Sequence, residues 1–457
     1  QDLDGTFTWT YGELERLSVV YARTFLRLLA QRTSCTSKNT PTISQRIAFL
    51  VDPGPEYVAL TMACWRCKTT AFPLATMHPA RELIHYFEDS RSDIVVVSAG
   101  YKTRVEEALA SCTFHSSHAP SVLVLEEADL AAHVGHAEGG ETKDRNNENK
   151  KTALPEEGSW LENEFPAGAM AGDGCLLLYT SGTTSKPKGV LHSHRSIAAQ
   201  VKSLTAAWQW CSADAALHCL PLHHIHGIVN ILYCALASRA RIVLCGKFDA
   251  ARIVAALMAG RASLFMAVPT VYHKLLAVIN AFSAEEQVQV KTLLKERVRL
   301  MVCGSAALPL PMMNEWADVS GHCLLERYGM SEIGMALSNS LDAHWRVPSC
   351  VGCTLPGVSV RCVRVNKPEG VGDGPFVVEE SHLEECALGE AGELLVMGDS
   401  VFDGYLFRDD ATKFSFVGGT PGGWFLTGDT AVCLRIDSQL ESYAAECRSR
   451  AGLSVER

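Results

Sequence analysis

The chain has 457 residues, 47% of them apolar and 20% charged, with a formal net charge of −10. That length and apolar content support one large or two ordinary domains with well-buried cores. The acidic balance excludes a non-specific nucleic-acid binder, which needs basic patches to neutralise phosphate, and no apolar run reaches the ~18 residues of a membrane span.

Taken in chain order, residues 11–30 form an amphipathic pattern, with Leu14, Leu17, Val20, Tyr21, Phe25 and Leu28 near helical spacing. Residues 46–51 read as a buried strand. Residues 55–68 read as a helix with Pro55 in its first turn. Residues 93–98 read as a second buried strand. This alternation predicts an α/β fold, with parallel sheets flanked by helices. Residues 139–157 are almost devoid of apolar side chains and read as a solvated, mobile loop. Helix and strand alternation resumes from residue 174 to about 335. From about 352 to 432 the pattern becomes glycine-rich with short β-like runs, such as 358–365 and 393–396. The expected organisation is therefore an α/β-layered body over 1–345, a small β-barrel subdomain over 346–432 and a divergent tail over 433–457.

The 17 cysteines stand singly in apolar stretches, as at Cys219, Cys234 and Cys245. That usage predicts reduced thiols and an intracellular protein. Two C-x-x-C pairs, Cys64/Cys67 and Cys350/Cys353, read as buried or incidental thiols rather than metal or redox sites. The chain opens on Gln1, so any targeting peptide is expected to lie outside it.

The strongest local signal runs from Cys175 to Gly189. An apolar strand leads into Thr180, Ser181, Gly182, Thr183, Thr184, Ser185, Lys186, Pro187 and Lys188. Hydroxyls, a backbone free to approach closely and two lysines suit a polyphosphate. The run lacks the Gly-Lys-Ser/Thr helix start of a Walker loop and the G-x-G-x-x-G of a dinucleotide fingerprint.

Residues 179–189 resemble the signature loop of the adenylate-forming superfamily, which includes acyl-CoA synthetases. Serine at 185 departs from the usual glycine. Four further segments follow in the family's order. Pro221-Leu-His-His-Ile-His-Gly227 resembles the segment whose histidine lies near the acyl pocket, which implies that role for His226. Gly304-Ser305-Ala306-Ala307-Leu308 resembles the loop bordering adenine and acyl group. Glu326-Arg327-Tyr328-Gly329-Met330-Ser331-Glu332 resembles the second core motif, with Ser331 where threonine is usual. Gly423-Trp-Phe-Leu-Thr-Gly-Asp429 resembles the ribose-gripping motif. The resemblance implies that Tyr328 packs on adenine and that Ser331 contacts the α-phosphate. It implies Mg2+ at Glu332 and Thr184, and both ribose hydroxyls on Asp429. Thr183, Lys188, His226 and Glu332 are the implied catalytic residues. ATP, Mg2+ and CoA are the implied ligands, with a small carboxylic acid as substrate. The implied fold is the large N-terminal domain of the acyl-adenylating enzymes.

Residues 222–230, 265–270, 300–311 and 321–330 resemble the malonyl-CoA synthetase branch, which implies malonate as the acid and a mitochondrial or cytoplasmic site. A dicarboxylate buries a second charge that must be paired, and arginine suits it. Arg327 is the first candidate. A structural ion pair with a neighbouring acid is its alternative. Arg239, Arg241 and Arg252 are further candidates.

The family pattern continues past its ribose-binding aspartate into a Gly-Arg hinge and a C-terminal domain with a catalytic lysine. Neither appears after Asp429. These residues alone are therefore expected to bind ATP and to form acyl-CoA poorly. Two other readings stay open: a non-catalytic nucleotide- or acyl-binding chain, and a ligase for a medium-chain fatty or aromatic acid.

Overall fold

A computed structural model describes residues 1–3, 5, 7–33, 45–114, 119–126, 174–180, 186–368 and 375–435, with 445 and 449. The 139–157 segment and most of the 433–457 tail lie outside the described residues. The chain divides into a unit of residues 9–176 and a unit of residues 1–8 with 177–457.

In the smaller unit, short runs of β-branched and aromatic residues form β1 (Arg46–Leu50), β2 (Thr70–Pro73), β3 (Ile94–Ser98) and β4 (Ser121–Leu125). They pair in parallel in the order β2–β1–β3–β4, with Ile47 opposite both Ala71 and Ile94. Leu176, near the start of β5 (Gly174–Tyr179), pairs in parallel with Ala71. Parallel strands buried on both faces need continuous apolar sequence, and all five residues of β1 are buried. Helix α1 (Tyr11–Thr33) packs on α2 (Pro55–Arg66). Pro55 begins α2, where its missing N–H costs no helical hydrogen bond. Cys64 and Cys67 are buried free thiols at the end of α2.

The larger unit opens with β6 (Gly189–Ser193), which pairs antiparallel with β17 (Gly404–Tyr405). Its main sheet has seven strands among the described residues. β7 (Ala215–His218), β8 (Arg241–Leu244), β9 (Leu264–Ala267), β10 (Leu300–Cys303) and β11 (Leu325–Met330) run parallel in the order β8–β7–β9–β10–β11. β12 (Gly334–Ser338) and β13 (Cys353–Thr354) then add antiparallel. Tyr272 anchors the helical face of this sheet. Its ring meets Phe265 and Trp316 edge-on, and its buried hydroxyl donates to the Val302 carbonyl at 2.9 Å.

From residue 358 onward, β14 (Val358–Val365), β15 (Leu383–Glu385), β16 (Ala391–Gly398) and β18 (Phe425–Val432) form an antiparallel sheet ordered β15–β14–β16–β18. Phe402, Phe416 and Phe425 form an aromatic cluster within this unit. No described helix is long and apolar enough to cross a membrane.

Candidate active site

The C-terminal ends of parallel strands are where side chains and loops of an α/β sheet converge on ligands. Residues 181–185, holding Ser181, Gly182, Thr183, Thr184 and Ser185, lie outside the described residues. The two ends of that loop are described, and they are clasped. Thr180 N–H donates to the Lys188 carbonyl at 3.0 Å, and Lys188 N–H donates to Thr180 Oγ1 at 3.1 Å. Lys186 is exposed and Pro187 half-buried. Gly189 follows where a Cβ would stand 3.0 Å from Leu177 and 3.2 Å from the Tyr179 ring, so the backbone passes closer than a larger residue allows.

The β6–β17 pairing sets Tyr405 opposite Val190 and brings its ring under the Lys188 ammonium, 4.0 Å from the ring centroid. The Tyr405 hydroxyl donates to Glu332 Oε1 at 2.9 Å. Burial raises the Glu332 pKa. The Tyr405 bond and the charge of Lys188 pull it the other way. Glu332 sits in the turn between β11 and β12. Gly329 is needed at the bulge of that hairpin, because a Cβ there would lie 2.0 Å from the Gly334 carbonyl oxygen. The turn is also held from beneath. His192 Nε2 lies 2.7 Å from the Ser331 carbonyl oxygen, which can only accept, so Nε2 carries the proton. Burial lowers the His192 pKa to about 4 and keeps the ring neutral.

At the start of the same motif, the Tyr328 hydroxyl donates to Asp429 Oδ2 at 2.6 Å. Burial and that bond raise the phenol's pKa. Asp429 is set by its turn: Gly428 has φ +73°, and its N–H donates to Glu393 Oε1 at 3.1 Å. A cavity of about 740 Å³ opens here, lined by Tyr328, Asn339, Trp345, Ser349 and Asp429 among others, a size suited to a small ligand. Glu326 lies behind it and accepts the Ser349 N–H at 2.9 Å. Burial raises its pKa to about 7.

A second cluster joins three segments. Arg327, 3% exposed, donates from Nη2 to Ser305 Oγ at 3.0 Å, and Ser305 Oγ lies 3.2 Å from His226 Nδ1. Ser305 adopts φ +66°, an uncommon conformation for a residue with a Cβ. Gly304 gives the guanidinium room, since a Cβ there would stand 2.7 Å from it. Ala306 and Ala307 continue this loop on the exposed side. His226 opens a π-helical turn, His226–Tyr233. Such turns are rare and concentrate at functional sites. A Cβ on Gly227 would meet the Pro221 carbonyl oxygen at 2.2 Å, which fixes glycine there. Burial lowers the His226 pKa well below its usual value, and the charge of Arg327 lowers it further. Burial also lowers the Arg327 pKa, to about 10.

Hydrogen bonds in this second cluster are incomplete. His226 Nε2 and Arg327 Nε are buried without a partner among the described residues, as are both polar atoms of Asn230, four residues further along the π-helical turn. No described carboxylate lies within ion-pair distance of Arg327, so the structural ion pair expected as its alternative is not found among them. Buried polar atoms normally have partners, and a ligand or an ordered water can supply those missing here. Arg239, Arg241 and Arg252 are exposed.

The AMP-binding enzyme family model matches residues 2–406. The chain belongs to the AMP-binding enzyme family. The mitochondrial malonate–CoA ligase ACSF3 of Mus musculus is 39% identical over 438 residues, covering 93% of this chain and 67% of its own length. The chain spans about two thirds of the length of such curated relatives. Among solved structures, ATP-bound MatB from Rhodopseudomonas palustris superposes with a TM-score of 0.69 at 29% identity, covering 94% of this chain and 72% of that one. The N-terminal domain of FACL13 from Mycobacterium tuberculosis shares the fold, with a TM-score of 0.67 at 19% identity over 96% of this chain and 92% of that domain. The expected large N-terminal adenylating fold, with layered sheets and flanking helices, is the one observed.

For this family member the structure brings Lys188, Glu332, Tyr328 and Asp429 into one region and His226, Ser305 and Arg327 into another. Both are anchored on β11. Ser331 lends its carbonyl to His192, and Met330 is half-buried at the end of the strand. Tyr405, His192 and Asn230 were not singled out from sequence. Asn230 lies four residues after His226 in an otherwise apolar run, and a lone amide in such a run is the signal by which sequence reading could have found it.

Proposed function

We propose that this chain is the adenylating part of an AMP-forming acid–CoA ligase whose acid is malonate. The acid's carboxylate attacks the α-phosphate of ATP, forming acyl-AMP and releasing pyrophosphate. The CoA thiol then attacks the acyl carbon and AMP leaves. Both partners in the first step are anionic, so the protein's task is alignment and charge neutralisation. Lys188 and the hydroxyl-rich loop at 180–187 serve the phosphates. Tyr328 and Asp429 hold the adenosine, Asp429 accepting from the ribose hydroxyls. Glu326 and residues 305–307 border the base. Ser331 faces the α-phosphate.

Mg2+ fits the donor set. No group of three or more His, Cys, Asp or Glu among the described residues is placed to hold a metal. Glu332 keeps one oxygen clear of Tyr405. A hard cation bound through one carboxylate, phosphates and water is the usual pattern for magnesium. When bound, it neutralises phosphate charge.

The observation that carries the choice of malonate is Arg327: a buried guanidinium with one serine hydrogen bond and no described carboxylate. The distal carboxylate of malonate supplies the missing countercharge, with His226 and Asn230 completing its hydrogen bonds. A fatty or aromatic monocarboxylic acid would leave that charge unpaired. The relatives named as mitochondrial support that compartment for the proposed activity.

The test is ATP–pyrophosphate exchange with Mg2+ over a panel of malonate, methylmalonate, hexanoate and benzoate. Ratios between acids are read, so a slow absolute rate does not obscure the answer. Malonate is expected to exceed each monocarboxylate at least roughly tenfold, the worth of one partly desolvated charge contact. Equal exchange with hexanoate would refute the assignment.

A further inference from the structure

Three cysteines meet at one end of the four-stranded sheet. β14 and β15 pair antiparallel, with Val363 opposite Glu385 and Arg364 opposite Glu384. Extending that register sets Cys362 opposite Cys386, and the Cys386 N–H donates to the Cys362 carbonyl at 2.9 Å. A hydrogen-bonded antiparallel pair keeps its Cα atoms about 5.5 Å apart with both side chains on one face. That separation lies inside the roughly 4.4–6.8 Å window a disulfide spans. On the neighbouring strand β16, a Cβ on Gly392 would stand 2.5 Å from Cys386 Sγ, so the glycine leaves the space this sulfur occupies. The Cys362 thiol donates to the Ala431 carbonyl at 3.3 Å and the Cys386 thiol to the Ala391 carbonyl at 3.7 Å. Burial raises the Cys362 pKa to about 11, and the adjoining Cys386 thiol adds to the rise. Cys433, exposed just past β18, is near enough for its charge to act on Cys362.

We propose that Cys362 and Cys386 are a modification site: a dithiol that hydrogen peroxide closes into a cross-strand disulfide. Cys386 is the more accessible of the two and reacts first. Its sulfur attacks the peroxide, the O–O bond breaks, and a sulfenic acid and water form. The buried Cys362 sulfur attacks that sulfenic sulfur, a second water leaves carrying the thiol proton, and the S–S bond is made. Two thiols are oxidised and one peroxide is reduced. The cross-link ties the edge strand β15 to β14. Cys433 is the thiol poised to exchange with the bridge. The C-x-x-C pair Cys64/Cys67 lacks this access, because both of its thiols are buried.

The test is treatment of the purified 457-residue chain with limiting hydrogen peroxide, alkylation of remaining thiols and peptide mapping without reduction. The expected result is a Cys362–Cys386 linkage that a reducing agent reverses, with loss of two free thiols. The linkage is expected to survive in Cys433→Ser. In Cys362→Ser it is expected to vanish, leaving Cys386 trapped as sulfenic acid by dimedone. A Cys386 that stays reduced, or a bridge from Cys362 to Cys433 instead, would overturn the assignment.

Discussion

Replacing Arg327 by methionine separates two opposite consequences of the same charge. The guanidinium is 3% exposed and has one hydrogen bond among the described residues, to Ser305. Burial lowers its pKa to about 10, because the site solvates a cation poorly. Without substrate, removing it costs one serine bond and relieves a desolvated charge. Exchanging a buried ion for a well-packed apolar side chain is often neutral or stabilising by about 1–4 kcal/mol. With a dicarboxylate bound, the same change removes a charge-assisted contact and strands a buried carboxylate, which costs about 3–4 kcal/mol. That corresponds to a roughly 10²- to 10³-fold loss. ATP–pyrophosphate exchange is therefore expected to fall by that factor in kcat/KM for malonate and by far less for hexanoate. Urea unfolding of the ligand-free variant is expected to show equal or greater stability. A variant that loses malonate and hexanoate exchange equally, or that unfolds several kcal/mol more easily, would show that Arg327 serves the fold and not the acid.

Tyr405→Phe keeps the ring under Lys188 and removes the hydroxyl that stabilises ionised Glu332, so exchange is expected to need about tenfold more Mg2+, with a larger deficit at pH 6 than at pH 8. An unchanged magnesium requirement would remove Glu332 from the cation site. Glu326 has a folded pKa of about 7, above its unfolded value of about 4.5, so the folded chain holds its proton longer and loses stability as pH rises between those values. Glu326→Gln is accordingly expected to stabilise the chain at pH 8 by up to about 3 kcal/mol and to do little at pH 4.5, read by denaturant midpoints. His192 and His218 have folded pKa values of about 4, below the 6.5 of an unfolded histidine. Stability is then complete above pH 6.5 and lost as pH falls toward 4, at up to about 1.4 kcal/mol per pH unit for each ring. His218→Gln should flatten that slope by one ring's share; an unaltered slope would mean the buried imidazole does not titrate on unfolding. Asn230→Leu should raise ligand-free stability by removing two unmatched polar atoms while lowering kcat/KM for malonate about tenfold. Unchanged malonate kinetics would place Asn230 outside the acid pocket.

Much of this was legible in the sequence because it is local. Apolar runs at 46–51 and 93–98 can only be buried strands in an α/β pattern. Residues 326–332 lie together on one strand and its turn, so their order already implied one site. The family's motifs assigned Tyr328 and Asp429 to the same nucleoside, but not the hydrogen bond between them across 101 residues. What escaped reading depends on contacts between distant segments. Tyr405 reaches Glu332 across 73 residues through the β6–β17 pairing, and no periodicity announces a two-residue strand. Ser305 links His226 to Arg327 only because its backbone adopts a left-handed conformation, which a serine in a Gly-Ser-Ala-Ala run does not advertise. Cys362 and Cys386 are too far apart in sequence to form a recognisable motif, and only strand register sets them face to face.

The support beneath Lys188 is an aromatic face, with no described carboxylate in ion-pair range. A π-cloud steadies an ammonium without cancelling its charge at a distance. The field at the mouth of the loop therefore stays attractive to polyanions, even though the protein as a whole is acidic. Nucleotide capture should then be faster in dilute buffer and slow as salt is added, while the rate of escape changes little.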